Sequence, residues 1–313
     1  VMVNAPALLR APTIFQAFYN AGARIAIVTA KDKLRRLLGH GLRFDEGRAI
    51  CFSSEKSADT SEAEHGLAAA SAWLGRSVPD VYSAELSEFV FAAGVKLLDS
   101  FKPDFMYLTT TDYIQHKHAP GTPDANRFYA MFDGYLAALD AAGAAIAITA
   151  DHGMNAKTDT AGAPAVIYAQ DLLDTWLGAD QARVILPITD PYVVHHGALG
   201  SFATAYLADP GALADTRDRL AAVAGMELVL DKAAAAERFQ LPADRIGDLV
   251  MVAERHITLG TRRQDHDLSL LDAPLRSHGG ISEQAVPLVF NRPVSSAGER
   301  PRAPWEDPSG SSA

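Results

Sequence analysis

The chain has 313 residues, of which 48% are hydrophobic, so it can bury the core of one or two domains and is not extensively disordered. Its 28 basic and 38 acidic residues give a net charge of −10, so a nucleic-acid partner gains no electrostatic attraction and an anionic substrate needs a local cationic pocket. A single cysteine excludes an intramolecular disulfide, and no run of about 18 apolar residues predicts a membrane-spanning helix.

The first 150 or so residues alternate predicted helices with predicted strands. Apolar side chains at helical spacing after a proline-led start predict a helix over 12–23, and the apolar run that follows predicts a buried strand over 24–29. Further strands are expected at 47–53, 105–108 and 144–149, a polar loop at 57–64, and long helices at 83–101 and 125–142. Such alternation predicts an α/β fold with a mainly parallel sheet flanked by helices.

After Lys157 the elements become shorter and more mixed. Strands are predicted near 165–168, 182–186, 199–207 and 226–230, and helices over 210–224 and 233–239. We interpret 161–245 as an inserted smaller α+β cap, and we expect 246–253 to return to the central sheet. The core is then discontinuous, 1–160 with 246–292, and the tail 293–313, rich in Pro, Ser and Gly, is expected to be disordered.

Side chains of the kinds that bind metals follow two of the predicted strands. Asp151 and His152 follow the 144–149 strand, which we expect to be buried, after the single residue Ala150, and Gly153 permits the turn that aims both at one ion. Asp112 and His116 follow the 105–108 strand, and a helical turn after Asp112 places positions i and i+4 on one face. The sequence therefore predicts ligand pairs at two strand ends.

A fifth candidate is His278, in a late His-Gly-Gly stretch. An Asp-His pair at a strand end is more often ordinary loop chemistry than a ligand pair, so the prediction rests on all five residues together. They offer nitrogen and carboxylate ligands without a cysteine, the donor set that suits a catalytic zinc ion better than a structural one.

The order Asp-x-x-x-His, Asp-His-Gly-Met, His-Gly-Gly resembles the alkaline phosphatase superfamily. Within that superfamily, the chain is similar to the phosphonoacetate hydrolase family through residues 28–33, 110–117 and 149–155. The resemblance implies an alkaline-phosphatase-like core with two zinc ions per full-length chain. One ion is then held by Asp112, His116 and His278, and the other in part by Asp151 and His152.

The family also uses one more aspartate ligand and a threonine nucleophile, both upstream of the part represented here. Neither has a match in this chain, so no catalytic nucleophile is assigned within it. We therefore expect an amino-terminally truncated protein that is inactive by itself. Its full-length form is expected to cleave the carbon–phosphorus bond of phosphonoacetate into acetate and phosphate.

Four residues are candidates for binding the small anionic phosphonate. Lys31 and Lys33 follow the 24–29 strand at its carboxyl end, where α/β sheets place their ligands, and cations there can stabilise a carbanion-like leaving group. His195 and His196 in the expected cap are further candidates for substrate contact. We expect a cytoplasmic protein without nucleic-acid or membrane partners, and leave a homo-oligomer open.

Two alternatives remain open at this point. A nucleotide pyrophosphatase or phosphodiesterase-like hydrolase of the same superfamily could use the same ligands on a diester. A metal-binding fragment without catalytic activity is the second alternative, favoured if the upstream segment is absent in the organism.

Overall fold

The computed structural model describes residues 5–187 and 199–293. The chain divides into two compact units, with the boundary between Ile146 and Ala147. His195, His196 and the tail after residue 293 lie outside the described residues, so the predictions for them stay predictions. None of the described helices is both long and apolar enough to cross a membrane.

The sheet of the first unit is parallel, with the strand order β2-β1-β3. Its strands are β1 Ile25–Thr29, β2 Ala49–Ser53 and β3 Phe105–Thr109. Ile25 pairs with Ala49 on one side and with Phe105 on the other, so the three strands start and end together. Their carboxyl ends therefore form one common edge.

Helices supply the rest of the first unit. They are α1 Ile14–Asn20, α2 Asp32–Leu38, α3 Glu62–His65, α4 Ala70–Leu74, α5 Ala84–Ser100, α6 Tyr113–Lys117 and α7 Pro123–Ala141. The first of them begins two residues later than expected, because the Thr13 hydroxyl accepts from the Gln16 amide at 3.0 Å and caps the helix. The expected polar loop at 57–64 is instead a 3-10 helix at Ser57–Asp59 followed by α3, which Ser61 caps.

Both faces of β1 and β2 are covered, so these strands are buried along their whole length and are apolar except for Thr29 and Ser53 at their carboxyl ends. Val28 points to the face that Phe89 of α5 covers, and Ile27 points to the face that Phe15 of α1 covers. Fully burying each large side chain of this kind contributes about 1.5–3 kcal/mol. The predicted parallel sheet with flanking helices is confirmed in this unit.

The second unit is built mainly on an antiparallel sheet with the order β7-β8-β10-β9. Its elements are β4 Ala147–Thr149, β5 Asn155–Ala156, β6 Val166–Tyr168, α8 Ala169–Leu177, β7 Ala182–Ile185, β8 Phe202–Leu207, α9 Leu213–Ala221, β9 Met226–Asp231, α10 Lys232–Phe239, β10 Leu249–Ala253, β11 Thr258–Gly260, β12 Arg276–Ser277 and β13 Leu288–Phe290. Three two-stranded sheets, β11-β6, β12-β5 and β13-β4, complete it.

The expectation that 246–253 returns to the parallel sheet is wrong, because β10 pairs antiparallel with β8 and β9. Its continuous apolar run has another cause. Leu249 and Met251 pack into the core that α8 and α9 cover, whereas Val250 packs against Ala235 of α10 on the opposite face. The domain limits 1–160, 161–245 and 246–292 stay a prediction.

The expected buried strand at 144–149 is shorter and more exposed than predicted. Only Ala147–Thr149 is extended, and Ala147 and Thr149 are exposed. Its partner among the described strands is β13, which the sequence did not reveal and whose residues are all exposed. The apolar composition therefore identified a strand correctly but not its degree of burial.

Candidate metal-binding site

Asp112 and His116 form a local pair at the carboxyl edge of the parallel sheet. Asp112 caps α6 through its backbone only, since its carboxylate accepts no bond from the helix amides. Instead, Asp112 Oδ2 lies 3.0 Å from His116 Nε2, with the carboxylate 42% exposed and the imidazole 2% exposed. The His116 amide donates to the Asp112 carbonyl at 3.0 Å, so one helical turn produces the predicted juxtaposition.

Lys31 and Lys33 follow β1 at the same edge. The Ala30 amide donates to the Thr109 carbonyl at 2.9 Å, so the backbone of β1 stays aligned with that of β3 up to the lysines. Thr29 Oγ1 donates to the Lys31 carbonyl at 2.9 Å. Lys31 is half-buried and Lys33 is exposed.

The residue between the two lysines is fixed by neighbours in α2 and β2. Asp32 Oδ1 accepts from Arg35 Nε at 2.6 Å and from Ser53 Oγ at 3.2 Å, and the Asp32 amide donates to Glu55 Oε2 at 2.9 Å. The Asp32 carboxylate is therefore paired with Arg35, and these hydrogen bonds restrain the backbone that carries both lysines. Their contact with substrate stays a prediction.

His152 and His278 lie side by side in the second unit. Their rings are stacked, with centroids 3.5 Å apart and planes 10° from parallel, although 126 residues separate them in sequence. His152 Nδ1 is 2.9 Å from the Gly153 carbonyl. The neighbouring Asp151 carboxylate is 91% exposed, with its Oδ2 3.7 Å from His152 Nε2. The turn thus leaves Asp151 facing solvent and packs His152 against His278.

The two glycines beside these histidines are needed for different reasons. Gly153 does not use a left-handed backbone; instead a Cβ there would lie 3.3 Å from both the α-carbon and the carbonyl oxygen of Glu283. Gly279 has a φ of +105°, a conformation that side chains with a Cβ rarely adopt. The expected role of Gly153 is therefore corrected from permitting a turn to permitting a close approach.

Lys157 and Glu283 are the residues that sequence reasoning missed. Lys157 Nζ lies 3.0 Å from Glu283 Oε1, and the two side chains are 0% and 1% exposed. Lysine and glutamate are usually solvated, and 126 residues separate these two, so neither type nor spacing signals a buried pair. Only the fold brings them together.

Burial lowers the pKa of the Lys157 ammonium, although the Glu283 charge opposes that shift. Burial by itself raises the pKa of the Glu283 carboxyl. The hydrogen bond from Asn155 and the charge of Lys157 outweigh this effect, so the pKa of Glu283 falls below its usual value. The carboxylate is therefore held ionised.

The donor set fits zinc. Imidazole nitrogens and carboxylate oxygens, with no cysteine, are ligands that zinc accepts in catalytic sites. The family resemblance implies that His152 and His278 bind different ions of a two-metal site. Rings serving different ions can still be neighbours, since such ions lie about 3.5–4 Å apart. The assignment of the five ligands stays a prediction.

Comparison with known proteins identifies the family. Residues 49–280 match the family model for type I phosphodiesterase / nucleotide pyrophosphatase. The match spans well over half of the sequence, and the chain belongs to this family, within the alkaline phosphatase superfamily.

Solved relatives narrow the resemblance. The chain is 66% identical to phosphonoacetate hydrolase from Sinorhizobium meliloti 1021, with a TM-score of 0.92, and the alignment covers 97% of this chain and 73% of that one. That enzyme was solved with phosphonoacetate and with phosphonoformate. The predicted similarity to the phosphonoacetate hydrolase family and the predicted α/β fold class are thereby confirmed.

Two further relatives match over a shorter stretch or at a lower identity. Phosphonoacetate hydrolase from Penicillium oxalicum is 57% identical over 42 residues, which cover 12% of this chain and 58% of the curated relative's length. Murine ectonucleotide pyrophosphatase / phosphodiesterase 5 has a TM-score of 0.52 at 16% identity, covering 90% of this chain and 62% of that one. At that identity the likeness shows a shared fold alone.

Proposed function

We propose that the protein hydrolyses the carbon–phosphorus bond of phosphonoacetate, giving acetate and phosphate. The observation that carries this proposal is the 66% identity, over 97% of the chain, to an enzyme solved with phosphonoacetate bound. The match spans only part of the relatives, so the proposal concerns the protein together with any segment encoded upstream. On the family resemblance, we expect a threonine nucleophile and one more aspartate ligand in such a segment.

The proposed ligands are Asp112, His116 and His278 for one zinc ion, and Asp151 with His152 for part of the other. When bound, the ions supply charge stabilisation to the phosphonate oxygens and to the attacking and leaving groups. His116 is buried and fixed by α6, and His152 is packed against the ring of His278, so these three imidazoles have restricted orientations. Asp151 is exposed and can turn towards an ion without disturbing the core.

Lys31 and Lys33 are proposed to stabilise the leaving group. Breaking the carbon–phosphorus bond leaves an electron pair on carbon, and the adjacent carboxylate can delocalise it as an enediolate only where cations stand nearby. The chain carries a net charge of −10, so such cations must be placed locally. The hydrogen bonds of Asp32 with Arg35, Ser53 and Glu55 restrain the backbone that carries both lysines.

A substrate comparison tests the reaction. The chain, expressed with any in-frame upstream segment and supplied with zinc, is assayed for phosphate release from phosphonoacetate and from a bis(nitrophenyl) phosphate diester. We expect a higher kcat/KM on phosphonoacetate and formation of acetate in equal amount to phosphate. A higher kcat/KM on the diester would overturn the proposal.

The double variant Lys31→Met/Lys33→Met tests the lysines. We expect a fall in kcat/KM of about 100-fold or more for phosphonoacetate, the size seen when charge-stabilising donors are removed, and a much smaller fall for an aryl phosphate ester, whose leaving group is stable. Lys232→Met, at a partly exposed lysine of the second unit that pairs with Asp248, is the control and should leave both activities unchanged. An equal loss of kcat/KM on both substrates would show that the lysines do not stabilise the leaving group.

A diester hydrolase is the second candidate, favoured by the description of the family that the chain matches. The same metal ligands could serve either substrate, and the substrate comparison separates the two. If neither substrate is turned over while zinc still binds, a metal-binding role without catalysis is favoured. The cytoplasmic location and the homo-oligomer stay predictions.

A further inference from the structure

The second unit contains an ion pair that neither the proposed metal ligands nor the proposed substrate contacts use. Lys157 Nζ donates to Glu283 Oε1 at 3.0 Å, to Ser201 Oγ at 2.6 Å and to the Arg255 carbonyl at 2.8 Å. An ammonium group has three protons, so all of its donors have acceptors inside the protein. The pair is fully enclosed and fully hydrogen-bonded on the lysine side.

The glutamate side is equally well defined. Glu283 Oε2 accepts from the Gly280 amide at 2.7 Å, and Oε1 accepts from Asn155 Nδ2 at 2.5 Å and Ser282 Oγ at 2.8 Å. Hydrogen bonds to an ionised carboxylate are about twice as strong as neutral ones. The carboxylate therefore fixes the chain segment that immediately follows His278.

Backbone hydrogen bonds join this network to His278 itself and to Gly153, the residue after His152. The Gly153 amide, next to His152, donates to the Glu283 carbonyl at 2.6 Å. The Ser201 amide donates to the His278 carbonyl at 2.8 Å, while Ser201 Oγ accepts from Lys157. One network thus holds the backbone at His278 and the turn after His152, which no local helix brings together.

Stability alone does not explain such a pair. Desolvating two charges is costly, and apolar side chains of similar volume are often as stable or more stable in the same place. The geometry points to a different role: Lys157 and Glu283 are positioning residues that hold the backbones of His152 and His278 so that their rings stay side by side. This inference rests on the proposed function in so far as the two histidines are metal ligands.

The test compares two variants of the whole chain that both lack the ion pair and differ in whether residue 283 keeps an oxygen acceptor. Lys157→Met/Glu283→Leu removes both charges and the oxygen acceptors, whereas Lys157→Met/Glu283→Gln removes both charges but keeps an oxygen for the Gly280 amide. Lys232→Met, which breaks a 3.0 Å ion pair with Asp248 elsewhere in the same unit, is the matched control. Circular dichroism and a melting curve establish that each variant is folded.

The first readout needs no metal. Histidine-labelled, metal-free protein is examined by NMR for the ring-to-ring nuclear Overhauser effect between His152 and His278. We expect it to be lost in Lys157→Met/Glu283→Leu, largely recovered in Lys157→Met/Glu283→Gln, and unchanged in the control. The second readout is zinc affinity by chelator competition, with an expected loss of about 10- to 100-fold for the first variant only.

An unchanged ring contact and unchanged zinc affinity in folded Lys157→Met/Glu283→Leu overturn the inference. If that variant does not fold, Asn155→Ala provides the test instead. It removes one hydrogen bond to the Glu283 carboxylate at a partly exposed site. A ring contact weakened about twofold or more supports positioning, and an unchanged contact overturns it. Failure of the wild-type chain to bind zinc counts against the proposed function, whereas the metal-free ring contact still decides the positioning role.

Discussion

The two pairs of candidate ligands differ in how the chain assembles them. Asp112 and His116 are four residues apart on one short helix, and their side chains meet at 3.0 Å through local geometry. His152 and His278 are 126 residues apart, and their ring contact depends on a buried network that ties together several segments of the second unit. A local pair needs only a helical turn, whereas a distant pair needs a scaffold.

This difference predicts where each pair is vulnerable. Substitutions within α6 should affect only the local pair, because the helix bonds that form it lie within a few residues. Substitutions in the Lys157–Glu283 network should disturb the distant pair without touching either imidazole. Four experiments test the contrast, starting with the largest expected effect.

Glu283→Ala should have the largest effect on stability. It leaves the Lys157 ammonium buried without its carboxylate, and breaking a buried pair from one side typically costs about 3–5 kcal/mol. Urea unfolding at pH 7, followed by circular dichroism, measures the change in the free energy of unfolding. A loss under about 1 kcal/mol would show that water reaches Lys157 and that the scaffold is weaker than the structure indicates.

Gly279→Ala should have the next largest effect on stability. A side chain at a φ of +105° costs about 1–3 kcal/mol, and it also displaces the segment that carries His278. Gly162→Ala is the matched control, with a φ of +85° and no neighbouring atom within 4 Å of an added Cβ. Both variants should lose stability in urea, but only Gly279→Ala should weaken the His152–His278 ring contact; equal weakening in the control contradicts the local role of Gly279.

Acid should weaken the distant pair's scaffold. The folded-state pKa of Glu283 lies below its unfolded value of about 4.3, so the carboxylate's contribution is complete above that pH and is lost as the pH falls through the folded pKa. Glu283→Gln has no such group to protonate. The difference in unfolding free energy between wild type and Glu283→Gln should therefore narrow below about pH 4.3. A difference that stays constant down to pH 3 would falsify the assignment of an ionised Glu283.

Asp112→Asn should have the smallest effect on stability. The Asp112 carboxylate is 42% exposed, and partly solvated pairs of this kind contribute about 0–1 kcal/mol. The free energy of unfolding in urea should change by less than about 1 kcal/mol, and the His152–His278 ring contact should stay the same. A large loss of stability would mean that the local pair also belongs to a wider network.

Several elements could be predicted from the sequence because their signals are local. The helical spacing of Leu86, Phe89, Val90 and Leu97 predicted α5 to within one residue at each end. The step of four residues between Asp112 and His116 predicted a pair on one helical face. Apolar runs predicted β1, β2 and β3, although such a run does not say which strands will pair.

Strand pairing and burial could not be predicted in the same way. The residues of β10 are apolar in either a parallel or an antiparallel setting, so their sequence misled us about the sheet to which they belong. In the strand β4, Ala147 and Thr149 are exposed and only Ile148 is half-buried, and its partner β13 gave no signal of its own. Burial depends on neighbours that are distant in the chain, and composition records them only indirectly.

The sequence by itself determined the family resemblance, the parallel sheet with its helices, and the identity of the candidate ligands and lysines. Those properties depend on residue types at short spacing, which local backbone geometry converts directly into structure. Only the tertiary structure revealed that His152 stacks on His278 and that Lys157 is enclosed with Glu283. Contacts between residues more than 100 positions apart are set by the packing of whole segments, and no local pattern specifies them.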